Sequence, residues 1–482
     1  LGRYSYVGVG AGERRLTFRD GVVLDTTGLP AAPLLALRDS LATIASPKEP
    51  SLPPFCGGYV GYLGWAAAGW SEKLPSRLGP DPHFPESDLL LVRELVAFDH
   101  RQGRTWAVAT GSGKGEDSPE ARAQRLADRV LRIFGSQGSQ GSQGSQGSQG
   151  SQAGQAGQSG QSGEAAQSGV GPVRWPDELR RPAAQSLGAR LFGNAKKRGP
   201  RLPEPKPLGG GERVFKAGIA RALEYIRAGD LFQVVLSQRF ELPDCDGFSL
   251  YRTLRAASPS PYHFYLRLGG RELFGASPEL LVQVEAGEMT LRPIAGTRKR
   301  GKTPAEDLAL EAELRADPKE RAEHTMLVDL GRNDVGRVSE IGSVRVQRLM
   351  ETERFSHVMH LTSEVTGRLR QGLTSVDAFA AAFPAGTLSG APKIRALQII
   401  DELETVPRGP YGGAVGWFSS AGEMQLAIAI RTLYRSGGRL FAQAGAGIVA
   451  DSDADAEWLE VLAKIRASVG AAYGAVASRT GP

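Results

Sequence analysis

The sequence predicts an α/β (α+β) protein, built as a sandwich of two stacked, mainly antiparallel sheets covered by outer helices. Strand-like runs occur in both halves of the 482-residue chain, too many for one modest sheet. Stretches of helical period lie between them. A low-complexity tract separates the halves, which gives an amino-terminal region at residues 1–134, a linker at 135–206 and a strand-rich body at 207–477.

Taken in order, RLTFRDGVVLD (residues 15–25) reads as a hairpin and AAPLLALRDSLATI (31–44) as an amphipathic helix. Ser118-Pro119-Glu120 supplies an N-cap and a first-turn proline for a helix ending near Phe134. GSQ then repeats six times from Gly135 to Gln152 and decays into Gly, Gln and Ser until about Gly169, a composition with nothing to bury. A basic stretch from Arg174 to Arg201 extends this linker without the interleaved aromatics that base stacking needs. Beyond Gly211, apolar residues at Phe215, Ile219, Leu223 and Ile226 predict a helix. FQVVLSQRFEL, YHFYLRL, ELLVQVEAGEMTLR, GAVGWF, MQLAIAIRTLYR and RLFAQAGAGIVA predict strands, the fifth of them carrying Arg431. Helices are expected at about 304–329, 376–383, 391–403 and 453–469.

Composition narrows the function classes. Hydrophobic content of 41% and charged content of 23% describe a globular protein with ample core, and a net charge of +6 is too diffuse to argue for nucleic acid. No run of about 18 apolar residues predicts a membrane span. Two cysteines, Cys56 and Cys245, make no disulfide framework and no metal spacing, so a reducing cytoplasm is the expected setting. The chain opens LGRYSYVGVG without Met, so an upstream segment is expected.

Two constellations carry chemistry. PKERAEH (318–324) starts with a proline suited to a helix's first turn and sets Glu320 and Glu323 three residues apart, on one helix face. DADAEWLEVLAK repeats that arrangement with Glu457 and Glu460. Two such pairs could clamp one Mg²⁺ through oxygen ligands; ordinary solvated glutamates on exposed faces fit the spacing as well. The second constellation is glycine-rich. PAGTLSGAPK (384–393) and AGAGIVADSD (444–453) are loops whose backbone N–H groups, with Thr387 and Ser389, could hold an anion, and Arg431 could fork onto a carboxylate. Neither has the ending of a P-loop.

Taken together, GDLFQVVLSQR (229–239), SPSPYHF (258–264), FGASPELL (274–281), RPIAGTRKRG (292–301), KERAEHTMLVDLGRND (319–334), SHVMHL (356–361), PAGTLSGAPK, PYGGAVGWF (410–418) and AGAGIVADSD resemble the chorismate-utilising enzymes. The resemblance is closest to the large subunits (component I) of anthranilate synthases, and GRYSYVG (2–8) with GGYVGYLGW (57–65) extends it into the amino-terminal half. It implies conversion of chorismate and ammonia to anthranilate and pyruvate, the first committed step of tryptophan biosynthesis, with Mg²⁺ as cofactor. Glu323 and Glu460 would ligate the ion, and Glu320 and Glu457 would complete its shell. Tyr411 and Arg431 would take the enolpyruvyl carboxylate, with Thr387 adding a hydroxyl and Gly445, Ala446 and Gly447 lining the pocket. Glu279 would be the general acid for the departing ring hydroxyl, and His360 would assist pyruvate loss. Thr297 would stand with these catalytic groups.

Two positions bear on the choice of nucleophile. Aminodeoxychorismate synthases of the family carry a covalently attacking lysine where this chain has Ala295, and the small side chain leaves room for ammonia. Isochorismate and salicylate synthases carry a water-activating lysine where this chain has Gln233, which is neither base nor nucleophile. No cysteine sits in a nucleophile-elbow context, so the resemblance implies that a glutamine amidotransferase subunit (component II) supplies ammonia within a heterotetramer. It also implies a tryptophan feedback site using Ser260, Pro261 and Tyr262. The alternatives are a 2-amino-2-deoxyisochorismate synthase, an aminodeoxychorismate synthase component I, or a non-catalytic regulatory or nucleic-acid-associated protein.

Overall fold

Strand Ala414–Ser419 of the carboxy-terminal half lies antiparallel to strand Gly58–Leu63 of the amino-terminal half, and this pairing makes one sheet from both halves. The close packing demands small residues: a Cβ on Gly58, at φ +140°, would stand 2.1 Å from the Phe418 carbonyl oxygen. The computed structural model describes residues 2–9, 14–19, 22–24, 30–44, 52–111, 114–135, 169–173, 204–258, 260–355 and 358–473. The GSQ repeats beyond Gly135 and the basic stretch at 174–201 lie outside them.

Among the described residues the joined sheet has twelve strands, a second has seven, and a third has four. The two large sheets face each other across an apolar layer of Tyr62, Val415 and Ala427 from one and Leu268, Leu273, Tyr434 and Phe441 from the other. Helices Gly211–Arg227, Lys393–Leu403 and Ala454–Tyr473 cover the outer face of the seven-stranded sheet. Helices Pro33–Ala42, Pro318–Gly336 and Ser375–Ala382 cover the outer face of the twelve-stranded sheet. The expected antiparallel sandwich under helices is present. The four-stranded sheet was not anticipated: Tyr4–Val9, Glu94–Asp99 and Arg104–Ala109 pair in sequence, and helix Pro119–Gly135 packs on them. Its fourth strand, Gly169–Val173, falls inside the stretch expected to be linker.

Other differences have local causes. The single helix expected near 304–329 is two, Pro304–Ala316 and Pro318–Gly336, because Asp317 ends the first and caps the second by accepting from the Lys319 and Glu320 N–H groups. Strand Arg345–Arg354 pairs only with Val358–Arg368 and is largely exposed, so it shows no clear alternation of apolar residues. Arg431 precedes a strand and does not lie in one, at φ +50° between Met424–Ile428 and Thr432–Ser436. Among the described residues no helix is long and apolar enough to cross a membrane.

A buried polar chain ties the layers. Arg408 is 2% exposed. It donates to both Glu404 carboxylate oxygens, to the Leu388 carbonyl at 2.8 Å and to the Val235 carbonyl at 2.7 Å, while stacking over Trp65 at 4.0 Å. Breaking a buried pair leaves an uncompensated charge. Arg408→Ala is therefore expected to lower unfolding stability by about 3–5 kcal/mol in urea denaturation; a loss under about 1 kcal/mol would show that the pair is dispensable.

Candidate active site

The strand Ile294–Lys299 bulges between Ala295 and Thr297, where Gly296 takes φ +66°. The stretch is a bulged strand, and the bulge aims its groups. Across from it on Val358–Arg368, His360 Nδ1 lies 2.9 Å from the Gly296 carbonyl and 3.0 Å from Thr297 Oγ1. A carbonyl can only accept, so Nδ1 carries the proton and Nε2 presents its lone pair. Burial lowers the imidazole pKa, against the Gly296 hydrogen bond and helped by Arg431. Neutral His360 is therefore a base in waiting. Ala295 is buried, and a Cβ on Gly296 would stand 3.1 Å from Glu320 Oε2, so this bulge also borders the first glutamate pair.

Glu279 follows strand Arg271–Ser277, and Ser277 Oγ accepts from its backbone N–H. Thr387 Oγ1 donates to Glu279 Oε1 at 2.9 Å from the short helix Gly386–Leu388. The residue retains some surface, yet protein atoms crowd its carboxyl, and burial pushes its pKa up to about 7 despite Thr387 and Arg431. A carboxylic acid that stays half protonated near neutral pH is suited to donate.

Arg431 acts on both Glu279 and His360 through its field. Part of its surface is exposed, but the surrounding protein lowers its pKa by burial, with Glu279 opposing. No ion pair or side-chain hydrogen bond holds its guanidinium among the described residues. A non-glycine residue at positive φ costs about 1–3 kcal/mol, which marks a backbone held for function. An unpaired guanidinium beside an acid suits a carboxylate ligand.

The glycine strand Arg439–Ile448 forms the next wall. A Cβ on Gly445 would meet the Leu236 carbonyl at 2.7 Å and the Tyr411 hydroxyl at 3.0 Å. One on Gly447 would meet Gln233 Nε2 at 2.7 Å. Tyr411 and Ala446 are buried, and burial raises the Tyr411 pKa, keeping its hydroxyl protonated. Gln233 Oε1 is buried with no hydrogen-bond partner among the described residues, so an acceptor is left for an incoming N–H.

The two glutamate pairs share an electrostatic field but do not converge. Burial raises the Glu323 pKa, and Glu320 on its own helix and Glu460 on the other raise it further. Burial also raises Glu457, with Ser452 opposing and Glu460 adding. Glu320 accepts from Arg298 at 3.0 Å, and Glu460 pairs with Lys464 at 2.6 Å. Among the described residues no three acidic, His or Cys groups stand close enough to hold an ion as placed. An oxygen-only set of partly desolvated, mutually repelling carboxylates nonetheless fits a hard divalent cation. Sequence reading missed Lys464, which joins Glu460 to the Gly445 carbonyl at 2.8 Å, although its i+4 spacing from Glu460 was visible. It also missed Arg298, which gathers Glu313, Asp317 and Glu320.

Ser260, Pro261 and Tyr262 are not brought to this site. They lead into the edge strand Tyr262–Leu268, where the Ser260 N–H donates to His263 Nε2 at 3.3 Å. Tyr262 stands opposite Ser277, two residues before Glu279.

Because the Thr387 hydrogen bond favours ionised Glu279, Thr387→Val should move its titration to higher pH. Infrared difference spectra of the carboxyl band against pH check this, and an unchanged or lowered midpoint contradicts the geometry.

Residues 188–470, more than half of the chain, match the family described as chorismate binding enzyme. Anthranilate synthase component 1 of Streptomyces coelicolor is 46% identical over 97% of this chain and 80% of that protein. The protein of the same name from Pseudomonas aeruginosa is 40% identical over 97% and 86%. The crystal structure of anthranilate synthase component I from Streptococcus pneumoniae superposes with a TM-score of 0.75 at 34% identity, covering 97% of this chain and 92% of that one. An acid, a neutral histidine and an unpaired arginine thus meet on the fold those proteins share, and the chain belongs to the anthranilate synthase component 1 family of chorismate-binding enzymes.

Proposed function

We propose that this chain converts chorismate and ammonia to anthranilate and pyruvate in the cytoplasm, the committed step toward tryptophan. The observation that carries the reading is the Glu279–Thr387 pair beside Arg431, a neutral acid facing an unpaired cation. Arg431 and the Tyr411 hydroxyl bind the enolpyruvyl carboxylate, and the Gly445–Gly447 backbone lets the substrate approach closely. Glu323 and Glu460, completed by Glu320 and Glu457, would hold Mg²⁺, which would supply positive charge to offset the ring carboxylate. That requires Arg298 and Lys464 to yield part of their hold on Glu320 and Glu460.

Glu279 then protonates the ring hydroxyl as it leaves, since hydroxide is a poor leaving group. Ammonia enters past Ala295, too small to obstruct and without a nucleophile, and the free Gln233 Oε1 accepts one of its N–H bonds. His360 Nε2 removes the ring proton as pyruvate departs. A glutamine amidotransferase subunit supplies the ammonia in a heterotetramer, and tryptophan binds at Ser260, Pro261 and Tyr262 as feedback inhibitor.

With ammonium as nitrogen source, Glu279→Gln should lower kcat by roughly 10²–10⁴-fold, the usual worth of a positioned acid. Chorismate KM should change little. Near-normal turnover would remove Glu279 from the reaction. In the wild type, kcat should fall as pH rises through about 7, because the acid form is lost there.

Ala295→Lys places a primary amine beside the reacting ring. Anthranilate formation should slow by about tenfold or more, which needs only ~1.4 kcal/mol of barrier. Intact mass should detect chorismate trapped on the variant alone. A wild-type adduct would show that Ala295 does not mark direct attack by ammonia.

A further inference from the structure

We propose that the cleft behind Glu279 is a water site, which takes up the water formed from the ring hydroxyl and returns a proton to Glu279 between turnovers. This rests on the reading of Glu279 as the acid. The cleft has a volume of about 50 Å³ and is lined by Glu279, Thr387, Arg292 and Asp334 among leucines that include Leu291 and Leu327. It is not sealed from solvent. A water needs roughly 10–15 Å³ of such space and two to four polar partners, so a short file of waters fits. Asp334 is fixed there by Lys393 at 2.7 Å. Of the groups assigned to the substrate, Thr387 lines this cleft beside Glu279, whereas Arg431, His360, Tyr411 and Gly445 do not. Glu279 therefore borders, besides the groups assigned to the ring, a second space that can hold water.

The proton balance requires such a second compartment. Glu279 gives its proton to the ring oxygen as the C–O bond breaks, which leaves a carboxylate and one water. Ammonia sheds a proton after forming its C–N bond, so the reaction consumes none overall. That proton is shed on the ring side and leaves to solvent with the products, while the Glu279 carboxylate must regain one for the next turnover. Waters in the cleft accept the new water into their file and relay a proton from solvent to the carboxylate, restoring the acid.

Gly331 offers a test that separates this role from stability. It lies in the middle of helix Pro318–Gly336, and a Cβ there meets only Pro293 and Val365 at 3.6 Å and Leu291 at 3.8 Å. Gly331→Ala therefore narrows the cleft without a clash while strengthening the helix. Leu327→Ala widens the cleft and weakens the core. Both are assayed with saturating ammonium in H₂O and D₂O, alongside thermal melts. Gly331→Ala should melt at or above wild type and keep its chorismate KM, yet lose kcat by roughly fivefold, with a larger slowing in D₂O. Leu327→Ala should melt lower and keep kcat within about twofold. The water site is overturned if Gly331→Ala retains wild-type kcat and D₂O ratio, or if both variants lose kcat in step with their melting temperatures. An inactive Glu279→Gln beside an unaffected Gly331→Ala would overturn the water site alone. An active Glu279→Gln would overturn both readings.

Discussion

Arg408 is the constraint on which the site depends. Its guanidinium reaches three pieces far apart in the chain at once: the Val235 carbonyl on the seven-stranded sheet, the Leu388 carbonyl beside Thr387, and the Trp65 ring from the amino-terminal half. Glu404 neutralises it and accepts from Ser237, whose hydroxyl accepts from Gln443. Gln443 in turn accepts from Arg239 and Tyr434, and Arg239 pairs with Asp81 at 2.6 Å. Such a chain is costly to leave half satisfied and is rigid when complete. It fixes the one-residue step from Leu388 to Thr387, and so the hydrogen bond that holds the acid.

The chemistry then follows from what each group lacks. Glu279 lacks a strong cationic partner in contact and stays protonated near neutrality. His360 feels Glu353 across the strand pair, but burial outweighs that carboxylate and favours the neutral ring, with its proton committed to Gly296. Arg431 lacks a protein counter-ion and is held at a strained φ, ready for an anion. Glu323 lies among other carboxylates and gains from any cation. Each is a charge or proton the protein leaves unbalanced, and the proposed dianionic substrate with a divalent ion would balance them together.

Much of this was legible in the sequence. The i,i+3 glutamate pairs follow from helical period, and both lie near helix N-termini as Pro318 and Asp453 imply. Glycines at 445 and 447 read as close-approach positions, which the Tyr411 and Gln233 contacts explain. What could not be read are the links across long sequence distances. Glu279 and Thr387 are 108 residues apart, and nothing local pairs them. The Gly296 bulge carries no sequence signal of its own, because a glycine at positive φ serves a turn or a bulge alike. The strand Arg345–Arg354 hid its period, because none of its residues is fully buried. Arg408 sat unremarked before a recognised motif, since burial of a charge is visible only in three dimensions.

The account stands on ammonia attacking the ring directly while Glu279 frees the hydroxyl. The most direct measurement is a product balance for the wild-type chain with chorismate, Mg²⁺ and ¹⁵N-ammonium, with no glutamine and no partner subunit. The account predicts anthranilate and pyruvate in equal amounts, one ¹⁵N in every anthranilate, and protein of unchanged mass. Accumulation of 4-amino-4-deoxychorismate or isochorismate as the main product, or unlabelled anthranilate, would contradict it.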